Sequence, residues 1–156
     1  MKNFEELFIK NKEKCKQLGV YLNPPAKAEE IHALSTLFNF NLPKELEDFY
    51  NLCNGFETED FLFRVLPINE ILEYKHELEA DSFYFAEYMI YSDTWIIKVK
   101  DSEEYYLLNG DHNTCIQLIL TNSIYEFIER YLSGGGIFGN QGLYKWLEDV
   151  KEKKTN

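Results

Sequence analysis

The sequence predicts an α+β fold: N-terminal helices packed on a central antiparallel (mixed) sheet, with helices again at the C-terminus. Three observations carry this. Apolar residues recur at helical spacing up to about residue 55. Between about residues 61 and 120 the period changes to twofold. Beyond Ser123 helical spacing returns. Helices, then strands, then helices make an α+β arrangement rather than alternating β-α units. A chain of 156 residues fits one domain spanning 1–156.

The first helix is expected over 3–18, with Phe4, Leu7, Phe8, Cys15 and Leu18 near one face and lysines on the other. Gly19 and Asn23-Pro24-Pro25 end it. A second helix is expected over 26–38, with Ala28, Ile31, Leu34, Leu37 and Phe38 on one side. A third follows a joint at Asn41-Leu42-Pro43, since proline fits the first helical turn. Glu45, Glu47 and Asp48 suit the positive end of its dipole. Leu46, Phe49, Tyr50 and Cys53 form its stripe, and Gly55 can close it in the left-handed conformation.

Strands are expected over 61–66, 83–91, 95–100, 104–108 and 115–120, with a helical segment over 69–79 between the first two. In Trp95–Lys100, Trp95, Ile97 and Val99 share one face and Ile96, Lys98 and Lys100 the other. Residues 109–113 look like a hairpin loop. Ser123 and Glu126 match a capping box, followed by Ile124, Phe127, Ile128 and Tyr131 at helical spacing. Gly134-Gly135-Gly136 reads as a flexible break before a last helix over 140–153.

Formal charge is −11, unevenly spread. Residues 57–104 hold four basic residues against thirteen acids, net −9, while each flanking third is net −1. Such a surface repels phosphates, which argues against direct binding to nucleic acid. It suits a basic protein partner. Cys15, Cys53 and Cys115 are odd in number, far apart and without a CxxC pair, so they read as reduced thiols of a cytoplasmic protein. The charged, amphipathic N-terminus is not a signal peptide, and no apolar run approaches the ~18 residues of a membrane span.

Little chemistry competes with binding. His32, His76 and His112 have no mutual metal-ligand spacing, and Asp111-His112-x-x-Cys115 lacks a visible fourth ligand. Paired carboxylates such as Glu59-Asp60 are expected by chance among 27 acids. The glycine run lacks the Lys-Ser/Thr of a phosphate loop. No cofactor and no catalytic or metal residue is therefore expected. The mixture of rings and acids between 83 and 106 is the candidate recognition face: Glu87, Tyr91, Asp93, Trp95, Asp101, Glu103, Glu104 and Tyr106.

Four motifs in order give the chain a resemblance. The first joins Glu29-Glu30-Ile31, Leu42-Pro43, Phe49-Tyr50 and Asn54-Gly55, the second is Phe63–Ile71 (FRVLPINEI), the third Phe85–Trp95 and the fourth Ser123–Leu132. Over about 26–132 this resembles the SUKH superfamily of fungal cell-wall synthesis regulators and bacterial immunity proteins. Phe38-Asn39 and Phe56 depart from its usual Leu-Gly and second Gly, and the helices at 3–18 and 140–153 lie outside it. The resemblance implies a non-enzymatic binding protein, monomeric or weakly dimeric. Its expected partner is a basic toxin domain such as a nuclease, or alternatively a non-toxin target of a regulatory module.

Overall fold

The computed structural model describes residues 2–111 and 118–155. In chain order the elements are α1 (Phe4–Lys10), α2 (Lys12–Leu18), β1 (Val20–Leu22), α3 (Ala28–Ser35), α4 (Lys44–Leu52), β2 (Phe56–Thr58), β3 (Phe63–Val65), α5 (Ile68–Glu73), a 3-10 turn (Lys75–Glu77), β4 (Ser82–Tyr88), β5 (Asp93–Val99), β6 (Tyr105–Asp111), β7 (Leu118–Thr121), α6 (Ile124–Ser133) and α7 (Leu143–Thr155). The strands form one seven-stranded sheet in the order β1 to β7, and every pairing is antiparallel. The fold is α+β, with helices flanking the sheet.

Strand alternation sorts the side chains into a core face and an outer face. Phe63, Val65, Phe83, Trp95, Ile97, Val99, Tyr105 and Leu107 enter the core. There they meet Phe4 and Leu7 of α1, Leu46, Phe49 and Tyr50 of α4, Phe127 and Tyr131 of α6, and Trp146 of α7. The core is held by ring packing: Phe63 stacks on Tyr131 at 4.2 Å, and Phe127 touches Phe63, Phe85, Trp95 and Trp146. On the outer face the strand register places Arg64, Glu87 and Thr94 in one row and, further along β5, Lys98 beside Tyr106.

Several elements differ from the sequence expectation, each for a local reason. The helix expected over 3–18 breaks at Asn11, whose side chain donates to the Leu7 carbonyl at 3.0 Å and so ends α1. The segment 69–79 tightens after Glu73 into the 3-10 turn. Phe61 and Leu62 lie in the β2–β3 turn, not in a strand: Asp60 accepts from Thr58 Oγ1 and from the Leu62 N–H and folds the chain back. Residues 89–91, expected to extend β4, form the β4–β5 turn. Of the proposed loop at 109–113, Asn109–Asp111 belong to β6; residues 112 and 113, like 115–117 of the next expected strand, lie outside the described residues.

The glycine run is not a loose linker. The Gly136 N–H donates to the Tyr131 carbonyl at 2.8 Å and the Leu143 N–H to Gly136 at 3.0 Å. A Cβ on Gly134 would stand 2.2 Å from the Gln141 carbonyl oxygen. The glycines allow two backbone segments to touch.

Candidate interaction surfaces

Asn54 and Gly55 knit the frame behind the sheet. Asn54 Oδ1 accepts from the Ile68 N–H at 2.9 Å and so caps α5, its carbonyl accepts from Asn23 Nδ2 at 2.9 Å, and its N–H donates to Pro24. Gly55 has φ 78°, and a Cβ there would lie 2.2 Å from the Val65 carbonyl oxygen. Glu45 joins α4 to β6 and α6: it accepts from Ser123 Oγ at 2.8 Å and from the Tyr105 hydroxyl, which itself accepts from the Ile124 N–H at 2.7 Å. Burial first, then the Glu45 carboxylate, pushes the Tyr105 phenol far up.

The eight residues singled out by sequence do not form one patch. Asp101, Glu103, Glu104 and Tyr106 sit at the β5–β6 turn. Asp101 Oδ1 shapes that turn by accepting from the N–H groups of Glu103 and Glu104 at 2.9 and 2.8 Å. Glu104 accepts from the Tyr106 hydroxyl and pairs with Lys100 at 3.1 Å, and both contacts lower its pKa. Tyr106 also lines a groove of about 590 Å³ with Phe38, Phe40, Asp81, Lys98 and Lys100. Tyr91 and Asp93 lie at the opposite end of β5, roughly 20 Å away at the rise of a seven-residue strand.

Two of the eight are corrected by burial. Trp95 is 0% exposed: its ring packs 5.7 Å from Phe63 and 5.8 Å from Phe127, because the alternation that turns Ile97 and Val99 inward turns Trp95 with them. Among the described residues its Nε1 has no hydrogen-bond partner. Glu87 is 2% exposed and is spent on an internal ion pair. Neither is placed to touch a partner.

Glu87 instead belongs to a clamp on the outer face. Arg64 Nε donates to Glu87 Oε1 at 2.7 Å, and its two terminal nitrogens donate to Glu70 at 3.0 and 2.7 Å. Glu87 Oε2 accepts from the Tyr91 N–H at 2.8 Å, while the Tyr91 hydroxyl donates to Glu70 at 2.5 Å. The Tyr91 ring lies 5.4 Å from Tyr74 and 5.6 Å from Tyr84. Burial works to raise the Glu70 carboxyl, but the hydrogen bonds from Arg64 and Tyr91 and the Arg64 charge outweigh it, and its pKa is lowered. Those Glu70 contacts hold Arg64 charged. The Tyr91 phenol is driven far up by burial and by Glu70.

The clamp fixes an unusual turn. Met89, Ile90 and Tyr91 have φ of 51°, 53° and 63°, three left-handed residues in succession. Such a conformation costs about 1–3 kcal/mol per non-glycine residue and persists only when its surroundings enforce it. At this end of the sheet large apolar side chains stand in solvent: Phe61 is 69% exposed, Ile90 92% and Phe138 72%, with Leu62 and Met89 also exposed. Sequence reading missed Phe61, Leu62, Met89 and Ile90 because apolar runs count toward strands, and Phe138 because the glycine run around it reads as a flexible break. The turn-forming Glu59-Asp60 and Ser92-Asp93 beside them were the available signal.

Among the described residues no group of three or more His, Cys, Asp and Glu could hold a metal, and His112 and Cys115 lie outside them. His76 Nδ1 approaches the Glu73 carbonyl oxygen at 3.1 Å rather than a carboxylate. Cys53 is buried, which pushes its thiol up to about 12. Among the described residues no helix is long and apolar enough to cross a membrane.

A family model described as the SMI1 / KNR4 family (SUKH-1) matches residues 25–133. No curated protein matches the chain. The match begins just before α3 and ends with α6, so it takes in all the sheet except β1 and all the Arg64 clamp. The family supports a protein-interaction module of a generally non-catalytic kind. With its helical hairpin, its Asn54-Gly55 turn and its antiparallel sheet in place, the chain belongs to the SMI1 / KNR4 family (SUKH-1).

Proposed function

We propose that the chain is an immunity protein that binds a cognate toxin domain in the cytoplasm and neutralises it stoichiometrically, without catalysis or cofactor. One observation carries the reading: in a family of interaction modules, this chain concentrates a net charge of −9 in residues 57–104, the segment that builds the sheet from β2 to the β5–β6 turn. Exposed Glu59 and Asp60 mark one end, beside half-buried Tyr91 and Asp93. Exposed Asp101 and Glu103, with half-buried Glu104 and Tyr106, mark the other. A surface of this sign speeds encounter with a basic partner such as a nuclease and covers its substrate groove.

The test is co-expression. A toxin encoded beside this chain's gene is induced with and without the chain, and growth is followed together with a titration of the purified toxin's activity. The expected result is survival and one-to-one inhibition. Unchanged killing and unchanged toxin activity overturn the reading. The family match favours a second reading, a regulatory interaction module with a non-toxin cellular partner. Absence of a toxin gene nearby, with a regulatory protein recovered in complex, supports it instead.

A further inference from the structure

We infer that the apolar end of the sheet, built on Phe61, Met89, Ile90 and Phe138, is the anchor of the interaction, and that its occupant is a folded protein with an apolar recess ringed by lysine and arginine. This rests on the reading of the chain as an interaction module and names the partner's chemistry. Three separate segments supply the surface. The Met89 N–H donates to the Leu62 carbonyl at 2.9 Å, which joins the β2–β3 and β4–β5 turns. The Phe138 ring stands 5.9 Å from Tyr88, the residue before Met89, which brings in the glycine loop. Leu62, Tyr88 and Phe138 line one cavity of about 250 Å³ together with Asp60. Among the described residues the other exposed large apolar side chains, Ile9, Tyr21, Leu22 and Ile119, belong to other elements. Exposed apolar side chains gathered from three loops are what a docking partner covers.

The surface is prepared in advance. Phe61 also has a left-handed backbone, φ 60°, so all four left-handed non-glycine residues described belong to the two turns of this end. The Arg64 clamp holds Tyr91 by its N–H and its hydroxyl, and Ile90 projects from the turn it fixes. A tip already held in its docking shape loses little freedom on binding.

Charge selects the occupant. Outside the internal Arg64–Glu87 pair, residues 57–65, 86–95 and 134–142 contain the acids Glu57, Glu59, Asp60 and Asp93 and no basic residue. Arg64 is already bonded to two carboxylates. An anionic lipid surface is repelled by such a rim, and so is a second copy of the same face. A basic protein is attracted to it, and its recess takes the rings.

The test places the photo-crosslinking residue p-benzoylphenylalanine at Phe61, Ile90 or Phe138, with Tyr21 and Ile119 as controls, in the full chain expressed in its native host. Adducts are identified by mass spectrometry. All three tip positions are expected to capture the same positively charged protein, and the controls are not. With that protein purified, Ile90→Asp and Phe138→Asp are each expected to weaken binding at least about 30-fold, and Ile119→Asp less than about 3-fold. An unchanged urea midpoint verifies that each variant folds. The inference is overturned by tip positions that capture nothing, lipid, a second copy or an acidic protein, or by Asp variants that bind as tightly as the parent. Toxin neutralisation that survives both Asp variants overturns this surface and leaves the immunity reading standing. A basic non-toxin partner caught at all three tip positions does the reverse.

Discussion

Arg64 and Glu70 meet through a forked pair of hydrogen bonds, Nη1 to Oε1 at 3.0 Å and Nη2 to Oε2 at 2.7 Å, while Arg64 Nε serves Glu87. One guanidinium thus ties α5 to β3 and β4. Arg64→Met strands Glu87, which is 2% exposed and has no other cation bonded to it among the described residues. The expected loss is about 3 kcal/mol, measured by urea unfolding, because a buried charge is left without its partner. The double variant Arg64→Met, Glu87→Leu recovers most of that loss, since it removes the stranded charge too.

Glu70 carries a pH dependence with a definite sign. Its folded-state pKa lies below the ordinary 4.5, so its contribution is complete above that value and is lost as pH falls through the folded one. Glu70→Gln is therefore expected to lower stability at pH 7 and to narrow the difference between variant and parent near pH 3. Urea midpoints at the two pH values check this. A constant difference across the range contradicts it.

Gly55→Ala adds a methyl group where the Val65 carbonyl oxygen stands 2.2 Å away and φ is 78°. The substitution is expected to cost more than about 1 kcal/mol. That is at least about 2–4 °C in Tm for a chain of this size. Calorimetry of the variant settles it, and an unchanged Tm contradicts the tight turn.

Phe127→Ala and Ile90→Ala separate frame from surface. Phe127 touches four aromatic rings in the core, so its truncation is expected to cost about 3–5 kcal/mol. Ile90 is 92% exposed, and its truncation is expected to change stability by less than about 0.5 kcal/mol. Chemical denaturation of the two variants side by side gives both numbers.

Most of the fold was legible from spacing. The Ser123 cap and the recurrence of Ile124, Phe127, Ile128 and Tyr131 place α6 within a residue of where it lies. The helical hairpin of α3 and α4 and the strands β4, β5 and β6 follow from the change of period. The strands β1 and β2 were missed because three residues hold too little alternation to stand out, and they are stabilised by pairing with distant segments.

The candidate site was less legible, and the reason is geometric. Residues 87 to 106 are continuous in sequence, yet the length of β5 separates the β4–β5 turn from the β5–β6 turn. Trp95 counts among the rings of the candidate face, yet its alternation with Ile97 and Val99 turns it in. The left-handed run at Met89–Tyr91 has no glycine to announce it; it is held by Glu87, at the end of β4, and by Glu70 from the distant α5, both bonded to Tyr91. The glycine run shows the reverse, a composition associated with slack used for close backbone packing.

The unbroken strand order from β1 to β7 bears on how the chain reaches this state. From β2 onward each strand finds its partner by closing a short stretch of chain, which keeps the entropic barrier to pairing low. The N-terminal pair is different: α2 packs on α6, more than a hundred residues later. α2 is made before α6 and cannot complete its packing until α6 has followed it, whereas α1 already meets α4, so α2 is among the later elements to lock.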